Sequence, residues 1–196
     1  MKKIITISRE FGSGGGTIGK AVANNLGYDY VDKKIILEAA RKSNLDINRT
    51  LELEEAIPLN FGFTQSLFDF YNKPLSEKIF EAQRDSVKEI AEKGNCIIIG
   101  RNANSILSEY DHCLHVFIHA NMNWRLERLR KDMPDLSDEK IIRKIKSVDK
   151  ARTKYCSYFT STDFGAAANY DLTLNTASIG IDTAVHIICE LAKSDF

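Results

Sequence analysis

The sequence predicts a three-layer α/β fold: a parallel sheet with helices packed on both faces. Three observations lead there. Short apolar runs of strand length recur at 3–8, 28–31, 96–99, 114–118 and 172–174. Segments with helical spacing of apolar residues lie between them. A loop with five glycines in residues 12–19 follows the first run directly. It sits at a strand's carboxyl end, where sheets of this kind bind ligands.

Each element has its own signal. The first strand is buried-strand sequence from Lys3 to Ser8. After the glycines, Ile18, Ala21, Val22 and Leu26 fall at helical spacing, and Gly27 suits a C-cap. A second strand follows at Tyr28–Val31, then a helix over Lys33–Lys42. From 45 to 75, Asp46 caps a short acidic helix through Glu55 and Pro58 ends it. Phe61, Phe63, Phe68, Phe70 and Tyr71 then form an aromatic stretch that suits a core, a dimer face or a base pocket. Ser76–Lys93 is a helix with Ile79, Ala82, Ser86 and Ile90 on its apolar stripe. Cys96–Ile99 runs as a strand into Gly100 and Arg101. After the strand at Leu114–Ile118, Asn121 caps a helix through Lys131. Ser137 starts a long helix with Ile141, Ile145 and Val148 on one side and Arg143, Lys146, Lys150 and Lys154 on the other. A last strand at Leu172–Leu174 and a helix over Ile181–Lys193 complete the pattern.

Composition narrows the function classes. The chain has 196 residues, a length that suits one domain. Its 27 Lys+Arg balance 27 Asp+Glu, so no overall field draws it to nucleic acid or anionic lipid. Its aromatic residues are not interleaved with basic ones, which also argues against nucleic acid. No apolar run approaches the ~20 residues of a membrane helix. The start shows no signal-peptide h-region, and four scattered cysteines show neither metal pairs nor a disulfide framework. A cytoplasmic protein with reduced thiols is the expectation. The four histidines lack metal-ligand spacing and read as structural or surface residues, and Trp124 reads as helix packing.

The glycine loop carries the chemistry. Adjacent glycines let backbone N–H groups converge on an anion, and the following helix adds its dipole. The phosphate-loop pattern G-x-x-x-x-G-K-S/T fits in two registers. One runs from Gly14 to Ala21 with Gly19 and Lys20 as its G-K, but starts late after the strand and lacks the hydroxyl. The other puts Arg9 at the first glycine, Gly14 at the second, and Gly15 at the lysine. It fits the geometry and loses the lysine. A glycine-rich turn without ligand is the bland alternative.

Segments in order along nearly the whole chain, except 45–75, resemble the cytidylate kinase-like family, relatives of the bacterial cytidylate kinases among the P-loop nucleoside monophosphate kinases. They are ISREFGSGGGTIG (7–19), YVDKKI (30–35), IIIGR (97–101), VFIHA (116–120), WRLER (124–128), VDKAR (148–152) and NYDLTLN (169–175). The resemblance implies a P-loop NTPase fold with a five-stranded parallel sheet, an acceptor-binding region about 33–75 and a helical lid about 125–160. It implies transfer of the ATP γ-phosphate to CMP or dCMP, with Mg²⁺. By matching position, Gly12, Ser13, Gly14, Gly15, Gly16 and Thr17 form the phosphate loop. Asp32 and Arg101 lie on the acceptor side, and Arg125, Arg128 and Arg152 belong to the lid.

Two departures stand out: Gly15 replaces the loop lysine, and Ile99 replaces the acidic residue that usually precedes Gly-Arg. Arg9, Lys20 and the lid cations are candidates to supply the missing charge. Glu10 or Asp32 are candidates to hold the metal's waters. Asp32 serves equally well as the N-cap of a helix starting at Lys33, Arg125 and Arg128 as a solvated face, Arg101 as a structural ion pair, and Lys20 as a solvent-facing residue. Two other functions stay open: a nucleotide- or phosphate-binding module that has lost catalysis, and a kinase for a different small acceptor. A homodimer is the commonest symmetric assembly.

Overall fold

The computed structural model describes residues 3–32 and 75–194. The helices expected over 33–42 and 46–55, the break at Pro58, the aromatic stretch 61–71 and the acceptor region 33–75 lie outside the described residues.

Five parallel strands form the sheet: β1 (Ile4–Arg9), β2 (Asp29–Val31), β3 (Cys96–Ile99), β4 (Cys113–His119) and β5 (Leu172–Asn175). Their spatial order is β2-β3-β1-β4-β5. β1 is central, pairing Ile5 with both Ile97 of β3 and Leu114 of β4. Its carboxyl end therefore opens in the middle of the sheet.

Helices cover both faces. α1 (Gly15–Leu26) and the terminal α7 (Ile181–Lys193) pack on one. There Ile5, Ile7, Ile97, Ile99 and Val116 meet Ile18, Val22, Ala184 and Ile188. α2 (Leu75–Lys93) and the short α3 (Ala103–Ile106) cover the other, where Ile4, Ile98 and Cys96 meet Val87, Ala91 and Leu107. Alternation along β1 sends Ile5 and Ile7 to one layer and Ile4 to the other. Each such fully buried side chain contributes about 1.5–3 kcal/mol. Gly27 ends α1 at φ 67°, as the sequence suggested.

Beyond β4, α4 (Met122–Asp132) and α5 (Asp138–Thr160) form a helical pair. Asn121 Oδ1 accepts the Trp124 N–H at 2.9 Å and caps α4. Leu129, Ile141 and Ile145 form the pair's own small core, against which Phe11 of the glycine loop packs. The second short helix, α6 (Thr176–Ile179), follows β5.

One sequence expectation needs correction, and two short helices were not expected. The buried stripe of α2 runs through Gln83, Ser86, Val87 and Ala91, with Ile90 half-buried. It is rotated from the apolar stripe because Gln83 turns inward to accept the Tyr155 hydroxyl at 2.9 Å. α3 and α6, each four residues long, had no periodicity to reveal them. The four cysteines are free thiols, in line with the expected reduced state, and burial pushes Cys96 up to about 11 and Cys113 up to about 12. Among the described residues no helix is long and apolar enough to cross a membrane.

Candidate functional site

The site grows from the carboxyl end of β1. Ser13, fully buried, ties the loop shut: its hydroxyl donates to Glu10 O at 2.9 Å and lies 3.1 Å from Ile118 O. Thr176 at the start of α6 donates to Ser13 O at 2.8 Å. Gly14 then turns the chain at φ 89°, a left-handed conformation that favours glycine, and α1 begins at Gly15. No side chain caps that helix, and its first turn carries no acidic residue. The N–H groups of Gly15, Gly16 and Thr17 have no intrahelical acceptor, and the dipole adds positive potential. Thr17 is exposed there.

Arg9 occupies the space the missing lysine would need. A Cβ on Gly15 would lie 2.6 Å from Arg9 Cβ and 2.9 Å from its Cγ. A Cβ on Gly100 would collide with Arg9 Nη1. The Arg9 stem therefore crosses over Gly15, and its guanidinium ends against Gly100 at the tip of β3. Gly100, Arg101 and Asn102 are three successive left-handed residues, with φ 71°, 62° and 53°. For Arg101 and Asn102 this costs of order 1–3 kcal/mol each, which the surrounding structure must offset. Burial, then the neighbouring charges of Arg152 and Arg101, pull the Arg9 guanidinium down to about 9; Tyr30 and Asp32 oppose the shift. Burial also lowers Arg152, with Asp149 opposing and Arg101 adding to the shift. Arg152 Nη1 donates to Arg9 O at 2.8 Å. Three arginines thus converge on one strand end. The folded chain holds their charges at a cost that a bound anion would relieve.

The outer side of the loop is tied to α4 and α5. Arg125 is only 7% exposed. Its Nη1 pairs with Asp149 Oδ2 at 2.5 Å and lies 3.6 Å from Glu10 Oε2. Asp149 Oδ1 accepts the Phe11 N–H at 2.7 Å, and Glu10 Oε2 accepts the Ala120 N–H at 3.0 Å. Arg125 Nε is buried without a partner. Arg125 is therefore an internal strut beneath the loop, and the Asp149 that it pairs with also acts on Arg152. Arg128, one turn on, reaches the open side: its Nη2 donates to Thr17 Oγ1 at 2.7 Å, and its guanidinium lies over the Trp124 ring at 5.9 Å. Trp124 Cη2 is 3.6 Å from the Cβ position of Gly14, so the indole walls the loop rather than filling a helix core. Lys20 is exposed, its Nζ 5.7 Å from the Tyr30 ring centroid. Asp32 acts on Arg9 and Tyr30 from the end of β2.

Several polar residues beside the site were not singled out in the sequence. Ser8 donates to the buried Asn104 Oδ1 at 3.2 Å, and Asn104 Nδ2 lies 3.5 Å from Asn169 O. Asn102 Nδ2 is buried without a partner. Gln83 and Tyr155 join α2 to α5, beside stacked Phe80 and Phe159 with centroids 4.4 Å apart. The only sequence signal was the run Gly100-Arg-Asn-Ala-Asn104 after an apolar strand.

The described residues form no all-protein cage for a magnesium ion. Among the described residues no three His, Cys, Asp or Glu side chains are grouped to hold a metal. Glu10 spends Oε2 on Ala120, the Thr17 hydroxyl accepts from a cation, and Asp32 lies in the field of Arg9.

A glycine loop between a central parallel strand and an uncapped helix, ringed by arginines and flanked by a helical pair, defines a P-loop α/β protein of the small-molecule kinase fold. The chain belongs to the cytidylate kinase-like family, whose model matches residues 4–178. No curated protein matches it. Its structure is similar to that of an uncharacterized protein from Eubacterium ventriosum ATCC 27560, with TM-score 0.77 and 22% identity over 98% of this chain and 99% of that one. It is also similar to shikimate kinase from Bacteroides thetaiotaomicron, with TM-score 0.55 and 16% identity over 99% and 100%. A third is the YorR protein of Bacillus subtilis in complex with phosphorylated GDP, with TM-score 0.54 and 15% identity over 97% and 96%. At these identities the likeness is one of fold, and family membership supports a nucleotide or small-molecule kinase.

Proposed function

We propose that this protein is a phosphotransferase that moves the γ-phosphate of ATP to CMP, dCMP or a related small acceptor. The observation that carries the reading is the path of Arg9, which crosses Gly15 and brings a cation to the strand end where Arg101 and Arg152 gather. The charge missing from the lysine position is supplied from another position of the same loop. Gly12–Thr17 would hold the donor phosphates through backbone N–H groups and the helix dipole. Arg101 would hold the acceptor, with Asp32 beside it. An acceptor phosphate oxygen attacks the γ-phosphorus in line; the new O–P bond forms as the bond to the β,γ-bridging oxygen breaks, and ADP leaves. Arg9, Arg128 and Arg152 would neutralise the charge spread over the transferring group. Mg²⁺ would arrive on the ATP rather than be held by a carboxylate of this chain.

One observation favours a second reading, a nucleotide-binding module without turnover: Ile99 stands where an acid would be, and Glu10 is committed inside the protein. ADP production from MgATP across a panel of nucleoside monophosphates separates the two. Turnover with CMP or dCMP that falls by about 10²-fold or more in Arg9→Ala supports the kinase. Saturable nucleotide binding with no turnover on any acceptor supports the module, and turnover with another acceptor identifies a different kinase.

A further inference from the structure

Gly16 and Gly19 lie one turn apart in α1, and neither has the left-handed backbone that calls for glycine. Glycine in a helix costs stability, so its use twice on one face needs another reason. Tyr30 of β2 provides one. A Cβ on Gly19 would come 3.3 Å from Tyr30 Cε2, besides 2.5 Å from Ile99 Cδ1. A Cβ on Gly16 would meet one atom within 4 Å among the described residues, the Tyr30 hydroxyl oxygen at 3.8 Å. The phenol therefore reaches across the first turn of α1, its ring over Gly19 and its hydroxyl over Gly16. Lys20 Nζ lies 5.7 Å from the ring centroid. Burial, then Asp32, raises the phenol above its ordinary value, with Arg9 opposing, and no hydrogen bond is among the causes. The hydroxyl thus keeps its proton at neutral pH and can donate it. With Gly15 at the lysine position of the phosphate-loop pattern, the hydroxyl position is Gly16, which has none.

We propose that Tyr30 supplies from β2 the hydroxyl that Gly16 does not carry, its O–H donating to a phosphate oxygen of the nucleotide held by the loop. The inference rests on the nucleotide-binding reading above and adds to that site a residue outside both the glycine loop and the arginines. Tyr30 stands to Gly16 as Arg9 stands to Gly15: a side chain from a strand crosses a glycine of α1 and brings a polar group to the ligand's side. A hydrogen bond to an anionic oxygen is stronger than one between neutral groups. A ring already packed on the helix loses little freedom in making it.

Titration calorimetry of the full chain with a non-hydrolysable ATP analogue and Mg²⁺ tests this. Tyr30→Phe keeps the ring over Gly19 and removes only the hydroxyl. It is expected to weaken binding by about tenfold or more. Adding Gly16→Ser to Tyr30→Phe returns a hydroxyl to the loop's own position, into the space the phenol oxygen has left. The double variant is expected to regain about threefold or more in affinity. A role confined to packing predicts no such recovery, because the serine hydroxyl replaces the donor and not a ring contact. Binding to Tyr30→Phe within about twofold of the wild type overturns the inference and leaves the nucleotide reading standing. A loss that Gly16→Ser does not reduce overturns it as well and confines Tyr30 to holding α1. No saturable binding to the wild type overturns the nucleotide reading, and this inference with it.

Discussion

On its outer side the loop between β1 and α1 turns Glu10 and Phe11 toward α4 and α5, and protein groups answer them: Ala120, Asp149 and Arg125. On its inner side Arg9 lies over Gly15, the Tyr30 hydroxyl is 3.8 Å from the Cβ position of Gly16, and exposed Thr17 accepts from Arg128, beside the helix-terminal N–H groups. The outer side spends carboxylates on holding the loop's shape. The inner side places Asp32 within the field of Arg9 and leaves the helix-terminal N–H donors for a ligand. Two arginines one turn apart on α4 divide along this line, since Arg125 is buried under the loop and Arg128 reaches across it. The lesson is that sign and spacing in a basic helix do not assign a role. What decides is which carboxylates the fold brings within reach.

The largest expected effect tests the outer side. Asp149→Ala removes the partner of a buried guanidinium and the acceptor of the Phe11 N–H. Breaking a buried pair in this way costs about 3–5 kcal/mol. Asp149 is partly exposed, 21% by side chain, which places the loss toward the lower end. Asp149→Asn keeps an acceptor for Phe11 and should recover part of it. Denaturant unfolding of the two variants measures the split. If both unfold like the wild type, the outer side is not a strut and the contrast between the two sides fails.

A smaller effect sharpens the inner side. The first glycine and the lysine of the phosphate-loop pattern can be restored together, by Arg9→Gly with Gly15→Lys. Gly15→Lys alone places its Cβ 2.6 Å from Arg9 Cβ, close to the backbone where little can yield. Such overpacking costs about 1–3 kcal/mol and displaces Arg9. Arg9→Gly alone leaves the loop without its cation. Each single change should weaken nucleotide affinity by about tenfold or more, and the double variant should bind better than either, because residues in contact couple by about 0.5–3 kcal/mol. Additive losses in calorimetry would mean that Arg9 and Gly15 do not form one unit.

The sheet and most of its helices were legible because their signals are local. Strand-length apolar runs, the Asn121 cap and Gly27 are read within a few residues. The loop was legible for the same reason, as a cluster of glycines after a strand. Other features depend on partners far along the chain. Gln83 looks like a solvent-facing residue until Tyr155, 72 positions later, is brought to it. Arg125 and Arg128 read alike until Asp149 comes up beneath one of them. The packing of Arg9 against Gly15 is hidden as well: a strand-end arginine and a helix-start glycine give no periodic signal, and only the tight turn between them brings the two into contact.

The smallest effect lies away from the loop, on the α2–α3 side of β1, and checks that the site's charge rules do not extend through the sheet. His115 Nδ1 lies 2.8 Å from Thr6 Oγ1 and 3.7 Å from Cys113 Sγ. Burial lowers its basicity, and Asp171 and the Leu107 carbonyl oppose the shift. In the unfolded chain a histidine takes its proton near about pH 6.5. The folded chain takes it only at lower pH, so between these two points the unfolded state binds more protons. The contribution of neutral His115 to stability is therefore complete above that pH and is lost as pH falls below it. His115→Gln should shrink the difference in Tm between about pH 7.5 and about pH 5.5, without changing phosphate binding at neutral pH. An unchanged pH dependence of Tm would show that His115 is not held neutral. A change in phosphate binding would mean that charge on this side of the sheet reaches the loop.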